Sequence, residues 1–320
     1  MIKYHEDEGV APVVAMLLIL AIIVTVMSVY FNTYVPALKE EAEIEHLSGV
    51  EKEFLTFSSD LQNAVWQKAE GKLGRSFKLG GGDVFLSSIK SGGGLKVEKD
   101  STLFGIENTT GTVYNSSLVK FSYESISNFW QNQGYSWQYG YVNLTTGYGT
   151  QTPLQYTDMD SVQENLEKSL GIFSSLFNIE YSYEPVFQPD GVGNYTGTRY
   201  LNCTELSLTI VNFQKGEKSY VSGNGIAELN LETEINKYSF NETELNFIIY
   251  NDASMNVNQT LWKNINKDLR DFENRHFSNV DDVSCYVNPD DNLGKDLDIT
   301  FRDPVRVTIR QVNLTVSAKV

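Results

Sequence analysis

Between Gly9 and Leu38 no side chain carries a charge, and from Val10 to Tyr30 the run VAPVVAMLLILAIIVTVMSVY is almost wholly apolar. Wound as a helix at about 1.5 Å per residue, such a run is about 30 Å long, which matches the hydrocarbon core of a bilayer. A helix that is apolar all round has no solvated face. The run therefore predicts one membrane-crossing helix, with the rest of the chain built out from its end. A secretory signal would combine a basic leader, a shorter apolar core and a small-residue cleavage site after that core. Here the leader MIKYHEDEG is acidic, with Lys3 set against Glu6, Asp7 and Glu8, the run is long, and no A-x-A site follows it. The apolar segment is expected to be retained.

Beyond the run the helical period continues. Leu47, Val50, Phe54, Phe57, Leu61 and Ala64 recur at spacings of three and four, giving one apolar stripe on an otherwise polar helix. Such a stripe packs on the chain's own head or on a stripe of another copy, and packing on the head is the expectation. Pro36 should kink or interrupt the helix near the outer membrane interface, where Tyr30, Phe31 and Tyr34 form aromatic anchors. Lys39-Glu40-Glu41 then reads as the first solvated turn.

From Arg75 the pattern changes to short alternating strands between Gly, Asn and Ser turns. The triplets Gly80–Gly82 and Gly92–Gly94 bracket a hairpin-sized unit, and strands are expected at Leu95–Val97, Thr112–Tyr114 and Leu118–Tyr123. Val162, Leu166, Leu170, Phe173 and Phe177 predict a helix over about 160–177 capped by Asp158 or Asp160, and Pro185, Pro189 and Gly191 mark a loop. Strands return at Glu205–Phe213, Ile226–Ile235 after the Ser222–Gly225 turn, and Leu245–Tyr250. A helix carrying Trp262, Ile265, Leu269 and Phe272 interrupts them, its aromatics read as core. In the final strand pair, 305–320, Val305, Val307 and Ile309 alternate in one phase and Val312, Leu314, Val316 and Ala318 in the other, which predicts a bulge near Arg310-Gln311. The fold class is thus α+β: a long N-terminal helix, membrane-spanning in its first half, then a mainly antiparallel β head with one or two short helices. The divisions are a leader 1–9, a membrane and stem helix 10–68, a first β module 72–155, a helical connection 156–184 and a second β module 185–320.

A chain of 320 residues with 41% hydrophobic and 12% aromatic side chains has ample material for a packed core. Its net charge of -16 argues against a nucleic-acid partner, because phosphate binding needs clustered Lys and Arg. The two cysteines, Cys203 and Cys285, form no CxxC pair. A single disulfide is the economical reading, closing a loop of roughly 80 residues with a stabilisation of about 4 kcal/mol in the chain-entropy model. Two buried thiols are the other.

Asn-x-Ser/Thr sequons stand at Asn108, Asn115, Asn143, Asn194, Asn202, Asn241, Asn258 and Asn313, a set that favours a glycosylated exterior surface over chance occurrence. Asn313 is out of phase with Leu314 and is expected to point to solvent. Oxygen side chains alternate at Asp290, Asn292 and Asp296 as in calcium loops, but Gly294 comes one residue late for an EF-hand and no closing Glu follows, so a solvated acidic turn is the better reading. Catalysis finds little support. Of the three histidines His5 lies in the leader, His46 in the stem and only His276 in the head, and no P-loop, HExxH or GxSxG occurs. No catalytic residue and no cofactor is expected.

The charged leader ending in Gly9, followed by Val10-Ala11-Pro12-Val13-Val14 and a long apolar helix, resembles the processing site of archaeal type IV pilin and archaellin precursors. The resemblance implies a cut between Gly9 and Val10 by a membrane prepilin peptidase, with Pro12 at mature position three, where a first helical turn tolerates it. Bacterial pilins carry Glu at mature position five. Here that position is Val14, a departure usual in the archaeal branch that removes one familiar route to subunit register. The stretch Phe121–Trp130 and then Gly134–Leu144, two aromatic strands with Gly140 central in the second, is similar to the sheet that follows the pilin-type helix in a large group of archaeal membrane proteins. The partners so implied are membrane lipid, the peptidase and other pilin-like subunits. The implied location is the cytoplasmic membrane, single-pass with the bulk outside, or a cell-surface filament. Adhesion as a minor filament subunit is the functional expectation. The alternatives are a non-polymerising envelope or ligand-binding surface glycoprotein, an uncleaved signal anchor, and an ectoenzyme on a tether.

Overall fold

A computed structural model gives the architecture, and describes residues 10–320 apart from 86, 127–128, 148, 150, 168–171, 188–198, 251–264, 266, 269–284 and 289–296. The chain is α+β, with one long N-terminal helix followed by a mostly antiparallel sheet. The helix comprises α1 (Val10–Val29), a π-helical turn (Tyr30–Tyr34) and α2 (Val35–Gln67). The strands are β1 (Gly71–Lys78), β2 (Gly92–Asn108), β3 (Val113–Ile126), β4 (Gln133–Gln138), β5 (Tyr141–Thr146), β6 (Gln151–Pro153), β7 (Phe177–Phe187), β8 (Arg199–Lys215), β9 (Tyr220–Gly223), β10 (Ile226–Ile249), β11 (Cys285–Asn288) and β12 (Leu297–Lys319). A short helix α3 (Met159–Glu167) links β6 to β7.

Pro36 does not interrupt the helix. The π turn places the Val35 N–H on the Tyr30 carbonyl, and Pro36 then falls in the first turn of α2, where its missing N–H has no bond to break. The polar side chains of the apolar half bond back to the helix itself: Thr25 Oγ1 donates to the Ala21 carbonyl at 2.7 Å and Asn32 Nδ2 to the Ser28 carbonyl at 2.8 Å. This matters in lipid, where an unmet polar group has no water to turn to. At the other end Lys68, in the left-handed conformation, closes α2 with its N–H on the Ala64 carbonyl.

The stretches 72–155 and 185–320 contribute to one twelve-stranded sheet, because β2 pairs with β10, β1 with β10 and β9 with β2. Its path runs β6-β5-β4-β3-β2-β10-β12-β8-β7, and every pairing is antiparallel except β12 with β8. The sheet curls until β3 approaches β8, where the Ser116 hydroxyl donates to the Val211 carbonyl at 2.6 Å and the Ser117 N–H to Asn212 Oδ1 at 3.0 Å.

The stripe on α2 packs on this sheet as expected. Phe54 is fully buried against the rings of Phe77, Phe121 and Tyr135, Phe57 meets Phe121 edge-on, and the Trp137 indole N–H donates to Ser58 at 3.0 Å.

Several expectations are corrected. Residues 297–319 form one strand, and its pairing with β10 runs unbroken through Arg310 and Gln311. The phase changes because the strand buries side chains on one face of the sheet in its first half and on the other face in its second. Val312, Leu314 and Val316 share a face with Leu229, Leu231 and Phe213, on the α2 side, where Phe213 meets Trp137. Val305, Val307 and Ile309 share the other face with Phe240 and Tyr238, on which Tyr114 packs. The register shift lies instead at Glu242/Glu244. Gly140 is not inside a strand: with Tyr139 at φ 54° and Gly140 at φ 91° it forms the two-residue turn between β4 and β5, a conformation that hairpin twist favours. Gln62 of α2 fastens that turn through the Gly140 carbonyl at 3.1 Å. Of the helix expected over 160–177, Met159–Glu167 is α-helical, Ile172–Ser175 is a 3-10 turn and Phe177 opens β7; the cap is Asp158, whose carboxylate accepts the Ser161 N–H at 2.7 Å. Of the helix expected around Trp262, only Ile265, Lys267 and Asp268 fall among the described residues.

Candidate functional site

At its lower end the inner face of α2 turns from apolar to polar. Val35, Lys39, Glu43 and His46 continue the stripe at spacings of four, four and three, and all four are buried. Lys39 is therefore not solvated, unlike Glu40 and Glu41 beside it, which are exposed. The connection from Leu79 to Ser91, between β1 and β2, covers this face.

Glycine makes that approach possible. A Cβ on Gly80 would overlap the Ser91 carbonyl oxygen, and one on Gly81 would lie 2.9 Å from His46 Cβ. Gly82 has φ 74°, which suits glycine. The Ser91 hydroxyl accepts the Gly81 N–H at 2.7 Å and holds the two ends of the connection together.

Of the buried ionisable groups on this face, Lys39 and His46 are answered from the head, whereas Glu43, among the described residues, meets only His46 and its Oε2 has no hydrogen-bond partner. Lys39 Nζ donates to the Ile89 carbonyl at 2.8 Å and stands 4.2 Å from the Phe129 ring centroid, a cation–π contact. His46 Nε2 lies 2.7 Å from the Lys78 carbonyl, which only accepts, so that nitrogen carries a hydrogen. His46 Nδ1 faces Glu43 Oε1 at 3.4 Å. Tyr123 donates its hydroxyl to the Leu79 carbonyl at 2.9 Å, and burial, followed by the Glu43 charge, pushes that phenol well above its usual range.

Lower still, the Tyr30 hydroxyl donates to the Phe85 carbonyl at 2.9 Å, so the connection reaches the end of the apolar helix. Val84 and Ser87 form a tight turn at its tip, with Asp83 and Lys90 paired across its neck at 2.7 Å. The Lys90 ammonium holds the Asp83 carboxyl below the usual carboxylate range. A cleft of about 480 Å³ opens beside this junction, between Glu45, His46 and Glu53 on the helix and Lys78, Gly81 and Asp83 on the other wall. The chemistry of the whole junction is that of a clamp: it fixes stem to head with groups that are charged or polar yet dehydrated.

The residues singled out from sequence fall in several places. Gly9 lies outside the described residues, and Val10 begins α1. Asn313 does not face solvent. It is 7% exposed, accepting from Asn212 Nδ2 and Gln214 Nε2 at 3.0 Å each, because the neighbouring strand β8 and the curled-over β3 close that face. Asn143 is 2% exposed in β5, paired opposite Pro153. Neither amide can carry a glycan in this fold. Asn241 is exposed, Asn115 is half-buried, and half-buried Asn108 shapes a turn by accepting from Thr110 and the Thr112 N–H at 2.8 Å each. Asn194, Asn258 and the side chain of Asn202 lie outside the described residues, as do the acidic candidates Asp290, Asn292 and Asp296.

Cys203 is a buried thiol on β8 whose sulfur lies 3.9 Å from the Glu205 carbonyl, and burial pushes it up to about 11. Cys285 pairs through its backbone with Phe301 of β12, and its side chain is outside the described residues. Among the described residues no group of three or more His, Cys, Asp or Glu is placed to hold a metal ion.

Sequence reasoning missed the junction. Its signal was present, since Lys39, Glu43 and His46 occupy the positions that extend the Leu47 stripe toward the apolar half of the helix, and a glycine triplet follows at 80–82. No protein family, curated protein or solved structure matches the chain. Among the described residues it has one helix long and apolar enough to cross a membrane, near its N-terminus.

Proposed function

We propose that the chain is a membrane-anchored, type IV pilin-like surface protein, cut between Gly9 and Val10 and displaying its β head outside the cell. The observation that carries this reading is the division of labour along one unbroken helix: the side chains of 12–29 are exposed, whereas α2 buries a continuous face on the head. An exposed apolar helix needs an apolar surround, and either a bilayer or a filament core of like helices supplies it. The charged leader and Pro12 at the helix start support the prepilin-type route. Its partners are then membrane lipid, the prepilin peptidase and, in a filament, other pilin-like subunits; the site acts by display and attachment, with no bond-making chemistry.

The deciding experiment is N-terminal peptide and intact-mass analysis of the protein from native membranes, with and without the peptidase. A mature terminus at Val10 that depends on the peptidase is the expected result. A terminus at Met1 or Ile2 in both samples would sink the processing step and leave an uncleaved signal anchor.

A non-polymerising anchor is the second reading, favoured by the Tyr30–Phe85 contact. In a filament, neighbouring helices would compete for the flank of the π turn that the head's lowest loop already reaches. Chemical cross-linking of intact cells separates the two, giving a ladder of multimers for a filament and monomers for an anchor.

A further inference from the structure

We propose that the turn around Phe85 and Ile89 is a second membrane contact, dipping into the lipid headgroup layer beside the helix and fixing how the head stands on the bilayer. The inference rests on the membrane-anchor reading and deepens it by naming the surface that meets lipid.

The geometry sets the depth. The apolar half of the helix, 20 residues long, spans about 30 Å of hydrocarbon, so its outer end falls near Tyr30. Helical side chains lean toward the N-terminus, which keeps the Tyr30 hydroxyl at or below the level of its own backbone. That hydroxyl is bonded to the Phe85 carbonyl, so Phe85 lies at the boundary between hydrocarbon and headgroups. Ile89 is fixed higher by Lys39, whose Cα is about 13 Å along the helix from Tyr30 and whose side chain leans back. Both sit at or near the headgroup layer, which is about 5–8 Å deep on each side.

The chemistry fits that depth. Phe85 is 78% exposed and Ile89 68% exposed, yet their backbones are held firmly by Tyr30 and Lys39. Large apolar groups so displayed gain nothing from water. Phe31 and Tyr34 are exposed on the helix within one turn of Tyr30, and exposed Trp130 follows Phe129, which Lys39 contacts. Aromatic side chains of this kind concentrate at the membrane–water boundary. Lipid is thus the occupant because the patch begins where the apolar surface of α1 ends, at the Tyr30 level.

The test uses the full chain reconstituted in phosphatidylcholine vesicles containing a phospholipid with a photoreactive group near the glycerol end of its acyl chain, read by peptide mass spectrometry. Lipid adducts are expected on α1, on Phe85 and on Ile89. None is expected on Trp66, which is 63% exposed but about 54 Å along the helix from Tyr30. In a Phe85→Ser, Ile89→Ser variant the loop adducts should be lost while those on α1 persist, with the near-ultraviolet circular dichroism of the head unchanged. Adducts on α1 alone in the natural chain would overturn the inference and leave the anchor intact. Adducts on neither would remove the anchor reading as well. Chain-to-chain adducts at Phe85 in place of lipid would overturn it in favour of a contact between copies.

Discussion

The two halves of the N-terminal helix share a backbone and differ in solvent. From Val10 to Val29 every turn is apolar on all sides, and the described side chains there are exposed. From Val35 to Gln67 the apolar positions narrow to one stripe, and that stripe is buried under a sheet. The contrast teaches that helix formation itself carries little information here. What differs is where the side chains find apolar contact: in one half the chain's own head supplies it, and in the other the described side chains stay exposed.

A substitution in each half should therefore act on a different equilibrium. Phe54→Ala removes a ring packed on Phe77, Phe121 and Tyr135, and it should lower head stability by about 3–5 kcal/mol in a denaturant titration of the detergent-solubilised protein. Leu18→Ala, on an exposed position of α1, should leave the same titration unchanged. Equal losses from both would show that α1 packs on something within the chain. In the other direction, Leu20→Arg at the middle of α1 should raise the cost of membrane insertion by about 2.5–3.5 kcal/mol, read as release of the chain from the membrane fraction. Ser48→Arg, on the exposed side of α2, should stay fully membrane-bound.

Legibility in the sequence followed the same division. The apolar run and the stripe from Leu47 to Ala64 were plain, because each is a periodic pattern with one physical cause. The sheet was legible in its strands and not in its faces. Val305 to Ala318 changes phase without a bulge because the curled sheet buries first one face of the strand and then the other, a fact set by contacts more than a hundred residues away in β3. Asn313 fell to the same cause: a period-two pattern locates solvent only if one face of the strand is bare. Pro36 was half legible: the α-helical pattern does give way there, but to a π turn over Tyr30–Tyr34 that keeps the helix continuous. The junction of Lys39, Glu43 and His46 escaped because polar residues at stripe positions weaken the very periodicity that would reveal them.

Two further substitutions sharpen how α2 is held. Ser58→Ala leaves the buried Trp137 indole N–H without its acceptor and should cost about 1–3 kcal/mol, whereas Ser48→Ala on the exposed side should be neutral. Gly80→Ala drives a methyl into the Ser91 carbonyl and should cost about 1–3 kcal/mol by displacing the connection from α2. Hydrogen exchange should then rise over the Leu79–Ser91 connection, with the Phe54 region still protected. A uniform rise would mean that foot and stripe unfold together.

The smallest effect concerns Cys203, on β8. Burial holds its thiol protonated up to about 11, against 9.0 for an exposed thiol. The folded state therefore binds the proton more tightly than the unfolded state does. This group leaves stability untouched below about pH 9, and stability falls as the pH climbs from there through 11. At pH 8 iodoacetamide should modify Cys203 much more slowly in the folded chain than in guanidinium, because the thiolate is the reactive form. Rapid labelling in the folded chain would place Cys203 at the surface and contradict its burial. A peptide pair joining Cys203 to Cys285 that separates on reduction would replace the thiol by a disulfide. That bond would tie β8 to β11 along one edge of β12, and the pH dependence assigned to the thiol would then vanish.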